Sequence, residues 1–210
     1  MSVKYVVSFP AQGKNGHTLV AACLDAHPQV VITNTYGSGC GSIEEILETS
    51  SKESMWDKGA KYKFNIPGQG EWEDVKVVGT TNNVTRGCEN LTRKNILVMR
   101  NPFDVIGSRY RKTKNLRVVT NMFFQGFERA LKLDNLMFVC HEEWIKNPID
   151  FLFNCADWLE IKKDMKWAMR CADLINPYAT RSFYRAPWDE ESVRLVDDFI
   201  KKFPEFKRYI

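Results

Sequence analysis

Residues 11–18 (AQGKNGHT) have the composition of a loop that binds a phosphate group. They follow a short apolar run at residues 4–9, which predicts a buried strand, and they lead into residues 18–26, which have the pattern of a helix. In a strand, loop and helix of this kind, the loop amides and the positive end of the helix dipole point at an anion. The sequence therefore predicts an anion-binding loop here, and the alternative is an ordinary glycine-rich turn without a ligand.

The loop departs at two positions from the GxxxxGKS or GxxxxGKT pattern of nucleotide triphosphatases. Ala11 stands where that pattern has its first glycine, and His17 stands where it has the lysine that binds the β- and γ-phosphates. A kinase or nucleotide hydrolase is therefore disfavoured. It stays open as an alternative, in which Thr18 would hold Mg²⁺.

A second candidate anion site lies where the apolar strand at residues 95–99 ends and a helix at residues 103–112 begins. Arg100 follows the strand directly, and an arginine in that position points into the crevice where α/β proteins bind ligands. Pro102 suits a first helical turn. Ser108 comes about two helical turns after Arg100, a spacing at which both side chains can reach one phosphate. The alternative is a surface helix with an arginine at its start.

Both segments resemble motifs of one enzyme family. Residues 14–19 (KNGHTL) resemble the Lys/Arg-Ser-Gly-Thr-Thr-Leu/Trp loop of sulfotransferases that use 3′-phosphoadenosine 5′-phosphosulfate (PAPS), and residues 24–28 (LDAHP) are similar to the segment that follows it. Residues 100–110 resemble the family's 3′-phosphate motif, in which an Arg and a Ser eight positions later hold that phosphate. Residues 62–70, 141–148 and 182–209 resemble further, less specific segments of the family.

The resemblance implies a role for each matching residue. Lys14 would contact the 5′-phosphosulfate and offset the charge on the bridging oxygen as the sulfuryl group leaves. The rest of the loop would bind the donor through backbone amides and the Thr18 hydroxyl, while Arg100 and Ser108 would hold the 3′-phosphate. The residues expected to bind the nucleotide are Lys14, Asn15, Gly16, His17, Thr18, Leu19, Arg100 and Ser108, with Arg181 and Arg185 nearby or, alternatively, on the surface.

The resemblance leaves the catalytic base open. Many cytosolic sulfotransferases carry a His just after the strand that corresponds to residues 75–78, but here that strand leads into GTTNN, which has no ionisable side chain. Other branches use a Glu soon after the segment LDAHP, which makes Glu44 a candidate. Its neighbour Glu45 is explained by a capping box with Ser42, and Glu44 is equally compatible with a solvated helix position.

His17 is the other candidate base. It replaces a threonine of the family loop beside the donor, where a neutral imidazole could accept the proton of the acceptor. It could equally be a phosphate ligand. His27 and His141 are interpreted as structural, because one ends a helix and the other closes a strand. A protein that binds the nucleotide without turnover is a further alternative.

Short apolar strands alternate with helices along the chain, which predicts one α/β domain over residues 1–210 with a parallel sheet of four or five strands flanked by helices. The remaining predicted strands cover residues 29–33, 75–78, 95–99 and 137–140, and the remaining helices cover residues 103–112, 121–133, 148–159, 163–174 and 190–202.

The composition favours a cytoplasmic protein with a local anion site. The net charge of +4 is small, which disfavours a nucleic-acid binder despite the basic run at residues 109–114. The six cysteines show no CxxC pair and are expected to be free thiols. No apolar run approaches the roughly 20 residues that cross a bilayer, and no spacing of His or Cys suggests a metal site.

The acceptor is unknown. The Trp- and Gly-rich residues 56–72 could stack on a sugar or a phenol, or form a packed loop. The expected partners are therefore PAPS, its product 3′,5′-adenosine bisphosphate, and a small-molecule or glycan acceptor, with no metal required, no nucleic acid and no membrane.

Overall fold

A computed structural model describes residues 3–10, 14–33, 66, 72–81, 90–175 and 186–209. Its centre is a five-stranded sheet with the order β2-β3-β1-β4-β5. All four strand pairings are parallel. The strands are β1 (Tyr5–Ser8), β2 (Val30–Thr33), β3 (Val77–Thr80), β4 (Thr92–Met99) and β5 (Leu136–Cys140). The predicted parallel α/β architecture is confirmed.

Two strand boundaries differ from the prediction. β3 begins and ends two residues later than residues 75–78, and its Gly79 pairs with Val7 of β1. A Cβ on Gly79 would lie 2.4 Å from both the Cγ1 and the carbonyl oxygen of Val7, so the glycine permits this close approach of the strands. β4 begins three residues before the predicted apolar run, because Thr92 pairs with Tyr5 although its own side chain is exposed.

The helices are α1 (His17–Asp25), α2 (Pro102–Thr113), α3 (Leu116–Ala130), α4 (His141–Trp144), α5 (Pro148–Leu159), α6 (Met165–Ala172) and α7 (Glu190–Lys202), followed by a 3₁₀ helix at Pro204–Tyr209. α3 begins five residues before the predicted start at residue 121. The side chain of Asn115 accepts a hydrogen bond from Val118 N (3.0 Å) and so caps the helix at that earlier position.

The sheet is covered on both faces, as near-continuous apolar strands require. Successive residues of β4 point to opposite sides: Ile96 and Val98 pack with α1, α5 and α6, whereas Leu97 and Met99 pack with α2, α3 and α7. Trp167 anchors the first layer, and its indole Nε1 donates to the carbonyl oxygen of Cys23 (2.7 Å).

Because all the strands are parallel, their carboxyl ends share one edge of the sheet. β1 leads into the predicted phosphate loop, β4 leads into Arg100, and β5 leads into His141. These three strands are neighbours in the sheet order β1-β4-β5. The fold therefore gathers segments that lie far apart in the sequence at one crevice.

Candidate functional site

The loop after β1 has two left-handed residues. Lys14 has φ 70° and Gly16 has φ 98°, while Asn15 between them does not have a positive φ. Alternation of left-handed and ordinary conformations turns successive backbone amides toward one side and forms a concave anion-binding nest. A lysine with positive φ is uncommon, and such backbone strain concentrates at functional sites.

The N-terminus of α1 continues this surface. Its N-cap is Gly16, which has no side chain to bond the first amides, and the first turn contains no acidic residue. The positive end of the helix dipole is therefore not offset by a carboxylate within the helix. α1 starts at His17, one residue earlier than expected, directly after the described part of the predicted anion-binding loop.

Asn15 fixes the orientation of His17. The buried Asn15 donates from Nδ2 to the carbonyl oxygen of Val98 (2.8 Å), so its Oδ1 must face the other way. That oxygen accepts from the backbone N of His17 (3.2 Å) and lies 2.6 Å from His17 Nδ1. An amide oxygen only accepts, so Nδ1 of His17 carries the proton and the lone pair of the neutral ring is on Nε2.

His17 is neutral near physiological pH. Burial, together with the positive charges of Arg109 and Lys14, lowers its pKa to about 4. Nε2 lies 3.4 Å from Oγ1 of Thr18. Arg109, on α2, is thus near enough to the loop to act on its histidine. The basic run at residues 109–114 was expected to flank the predicted 3′-phosphate site or to form a solvated helix face, and the position of Arg109 directly after Ser108 is the sequence signal for the first of these.

Arg100 follows β4 at the same edge of the sheet. Its side chain is 22% exposed, and its guanidinium lies 3.7 Å from Asp104 Oδ2 one helical turn further on. Asn101 caps α2 by accepting from Phe103 N (2.9 Å). Ser108 lies on α2 and is half-buried, as expected for a residue at the inner side of this helix. Leu19, in the first turn of α1, packs against the apolar core and fixes the helix.

The turn that carries Arg100 is held by Glu142, which the sequence analysis did not single out. Oε1 of Glu142 accepts from Asn101 N (3.0 Å), and its Oε2 accepts from the hydroxyl of Tyr209 (2.6 Å). Burial opposes ionisation of Glu142, but these hydrogen bonds outweigh burial and lower the pKa of the carboxyl. Burial raises the pKa of Tyr209, so its hydroxyl stays protonated and donates.

His141 follows the last residue of β5, as its interpretation as a structural residue implies, and its ring also lies against the predicted phosphate loop. A Cβ on Gly16 would lie 2.6 Å from Nδ1 of His141, so the ring contacts the glycine directly. Burial, together with the nearby Arg100, lowers the pKa of His141 to about 4, although Glu142 acts in the opposite direction. The sequence signals for this contact were that His141 directly follows a strand at the ligand-binding edge and that residues 141–148 resemble a segment of the sulfotransferases.

The structural interpretation of His27 is confirmed, and Asp25 also has a structural role. His27 lies 2.9 Å from Lys162 O through Nε2 and accepts from Gln29 N (3.0 Å) through Nδ1. Asp25 accepts from Ile32 N (2.7 Å) and is buried. Glu44, Arg181, Arg185 and nearly all of residues 56–72 lie outside the described residues, so their predicted roles stay predictions.

Four of the six cysteines are described, and all four are buried free thiols: Cys23, Cys140, Cys155 and Cys171. Within the described ranges, no group of three or more His, Cys, Asp or Glu side chains is arranged to hold a metal ion. None of the helices described above combines the length and apolar character needed to cross a membrane.

No protein-family model and no curated protein matches the sequence. Solved structures do match. The sulfotransferase domain of the Synechococcus PCC 7002 olefin synthase is 15% identical with a TM-score of 0.53, covering 97% of this chain and 96% of that one. A sulfotransferase from Alicyclobacillus acidocaldarius is 12% identical with a TM-score of 0.53, covering 99% and 95%. Mouse sulfotransferase SULT7A1, complexed with PAP, is 14% identical with a TM-score of 0.52, covering 96% and 83%.

These matches span nearly the whole chain, including the strands that carry the loop, Arg100 and His141. At such low identity they establish the arrangement of strands and helices and not the chemistry. The sequence resemblance and the structural likeness nevertheless point to the same architecture. The chain has the α/β fold of the sulfotransferases.

Proposed function

We propose that residues 1–210 form one domain that transfers a sulfuryl group from PAPS to a hydroxyl or amine of a small-molecule or glycan acceptor. The observation that carries this proposal is the meeting of two cationic elements at adjacent strand ends: the left-handed loop with Lys14 after β1, and Arg100 after β4. PAPS carries phosphates at two separate positions, which suits two separated anion sites. Mouse SULT7A1, of the same fold, was crystallised with PAP.

In this proposal the donor lies along the carboxyl edge of the sheet. The loop amides and Lys14 bind the 5′-phosphosulfate, and Arg100 with Ser108 binds the 3′-phosphate. The acceptor oxygen or nitrogen forms a bond to sulfur while the bond from sulfur to the bridging phosphate oxygen breaks, and 3′,5′-adenosine bisphosphate leaves. Lys14 stabilises the negative charge that grows on that oxygen. This transfer requires no metal ion.

We assign His17 as the base that takes the acceptor's proton. Its neutral ring has the lone pair on Nε2, and Asn15 holds the ring by its Nδ1 proton. A base must be in its unprotonated form, so the low pKa of His17 keeps it competent at neutral pH. Glu44 stays the alternative base. Activity that survives His17→Gln and disappears in Glu44→Gln would assign the role to Glu44.

The test is calorimetric binding of 3′,5′-adenosine bisphosphate compared with ATP plus Mg²⁺, followed by a transfer assay with PAPS and a panel of phenols, amines and sugars. Tight, metal-independent binding of the bisphosphate with weak ATP binding supports the donor site. Preference for ATP with Mg²⁺ would replace the proposal by a kinase-like function. Bisphosphate binding without transfer to any acceptor would favour a binding protein that keeps the fold.

The cellular compartment in which the reaction takes place is part of the proposal. The scattered cysteines without a CxxC pair favour a reducing compartment, and we propose the cytoplasm. The small net charge and a site built around two local cationic elements favour a nucleotide over a nucleic acid as the partner.

A further inference from the structure

His141 is placed in the crevice by its position in the chain and by two contacts. It directly follows β5, the neighbour of β4, so it emerges beside Arg100. Its ring meets Gly16 so closely that a Cβ there would lie 2.6 Å from Nδ1 and 2.9 Å from Cε1. On the other side the ring packs against Trp144 at 6.2 Å between centroids and an interplanar angle of 72°. The imidazole thus contacts the predicted phosphate loop and lies near enough to Arg100 to feel its charge.

One nitrogen of this ring is buried without a hydrogen-bond partner among the described residues. Nδ1 of His141 makes no hydrogen bond to any part of the chain that the structure describes. A buried polar atom that lacks a partner costs free energy, of the order of 1–3 kcal/mol, and such atoms in native proteins require an explanation. A ligand oxygen at the mouth of the loop would supply the missing partner once the ring turns toward it.

The charges that face His141 explain why it is neutral without a ligand. Arg100, from the end of β4, opposes protonation, and so does burial. Lys14 and Arg109 add positive charge on the loop side, where they act on His17. Glu142, the next residue, favours protonation but is already bonded to Asn101 and Tyr209. A bound nucleotide with two phosphates would reverse this balance, because its negative charge offsets the surrounding cations.

We propose that His141 is a second histidine of the nucleotide site, which takes up a proton and donates a hydrogen bond when a nucleotide with 5′- and 3′-phosphates binds, so that nucleotide affinity rises as pH falls. This inference rests on the proposed function, since it requires that the crevice binds such a nucleotide. It differs from the role of His17, which must stay unprotonated to act as a base.

The size of the effect follows from linkage. The pKa of His141 is about 4 in the ligand-free protein. If the phosphates restore it to the ordinary histidine value of about 6.5, then binding at pH 6 takes up about 0.75 of a proton, and His141 alone makes the affinity about fourfold higher at pH 6 than at pH 8. Phosphate esters also gain protons near pH 6, so the contribution of His141 is measured as a difference between proteins that bind the same ligand.

The experiment is calorimetry of 3′,5′-adenosine bisphosphate binding at pH 6 in buffers with different ionisation enthalpies, which counts the protons taken up. Wild type is compared with His141→Gln, which keeps an N–H donor but does not titrate. The matched control is His17→Gln, which removes the histidine that belongs to the loop itself. We expect His141→Gln to take up about 0.75 of a proton less per bound bisphosphate than wild type. His17→Gln should differ from wild type by less.

A second measurement follows the histidines of the wild-type protein directly and uses His141→Gln only to assign a resonance. The chain has three histidines, so the imidazole Cε1 protons give three resonances that can be titrated by NMR with and without the bisphosphate. One histidine whose pKa rises by more than one unit on binding, and whose signal is missing from His141→Gln, supports the proposal. Bisphosphate binding with unchanged histidine titrations, or with the rise confined to His17, would overturn it while leaving the proposed function intact. Absence of bisphosphate binding would instead refute the proposed function.

Discussion

The contact between Gly16 and His141 makes a quantitative prediction for Gly16→Ala. Two separate costs add in this variant. The first is conformational: at φ 98° an alanine is strained by about 1–2 kcal/mol, which glycine avoids. The second is steric: the new Cβ would lie 2.6 Å from Nδ1 of His141, too close for any contact, so the ring must move. Trp144 packs against that ring, so the displacement is resisted and adds about 1–3 kcal/mol.

A double-mutant cycle separates the two costs. In the His141→Ala background the ring is gone, so Gly16→Ala should cost only the conformational part. The free energy of unfolding of wild type, both single variants and the double variant, measured by urea denaturation, should therefore give a coupling of about 1–3 kcal/mol between the two sites. In contrast, Gly126→Ala in the middle of α3, where φ is not positive, should leave stability unchanged or raise it by up to about 1 kcal/mol.

The steric reasoning is refuted if Gly16→Ala costs the same in both backgrounds within about 0.5 kcal/mol, the limit to which independent sites add. The conformational reasoning is refuted if, in the His141→Ala background, Gly16→Ala does not lower the free energy of unfolding at all. Binding of 3′,5′-adenosine bisphosphate provides a further check. We expect Gly16→Ala to weaken it in both backgrounds, because a changed φ at residue 16 turns the loop amides away from the anion.

Four further predictions test the site. Lys14→Ala should largely abolish transfer while only modestly weakening bisphosphate binding, and unchanged turnover would exclude its proposed role. Arg100→Ala should weaken binding of the bisphosphate far more than binding of AMP, and equal losses for both ligands would show that Arg100 does not bind the 3′-phosphate. His17→Gln should lower the transfer rate by about 10²–10⁴-fold, the usual contribution of a general base, with little change in bisphosphate affinity; an equal loss in both would make His17 a ligand. The ligand-free protein should lose stability as pH falls from about 6.5 to about 4. In the folded protein His17 and His141 have pKa values near 4, whereas an unperturbed histidine has a value of 6.5. Between these two values the unfolded state binds protons that the folded state does not bind. Their contribution to the free energy of unfolding is therefore present above pH 6.5 and is lost as the pH falls. Urea denaturation across this pH range should show a shallower decline in His141→Gln.

The local sequence was sufficient to predict most of the secondary structure. Short apolar strands, the proline at Pro102 and the glycine-bearing turn before α1 are signals carried by neighbouring residues, and the parallel α/β architecture follows from their alternation. Errors arose where a tertiary or capping contact sets a boundary. Gly79 lies within β3 because Val7 of the next strand approaches it closely, and α3 starts at Leu116 because Asn115 caps it.

The sequence by itself therefore determined the glycine-bearing loop between β1 and α1, with its predicted phosphate site, and the position of Arg100 after a buried strand. Tertiary structure decided which side chains support them. Asn15 bonds the carbonyl oxygen of Val98, 83 residues away, and Glu142 binds the turn after Arg100 while accepting from Tyr209. The contact of His141 with the loop likewise depends on the tertiary structure. Which strand ends meet depends on the order β1-β4-β5, and that order arises from packing of the whole sheet and not from any local pattern.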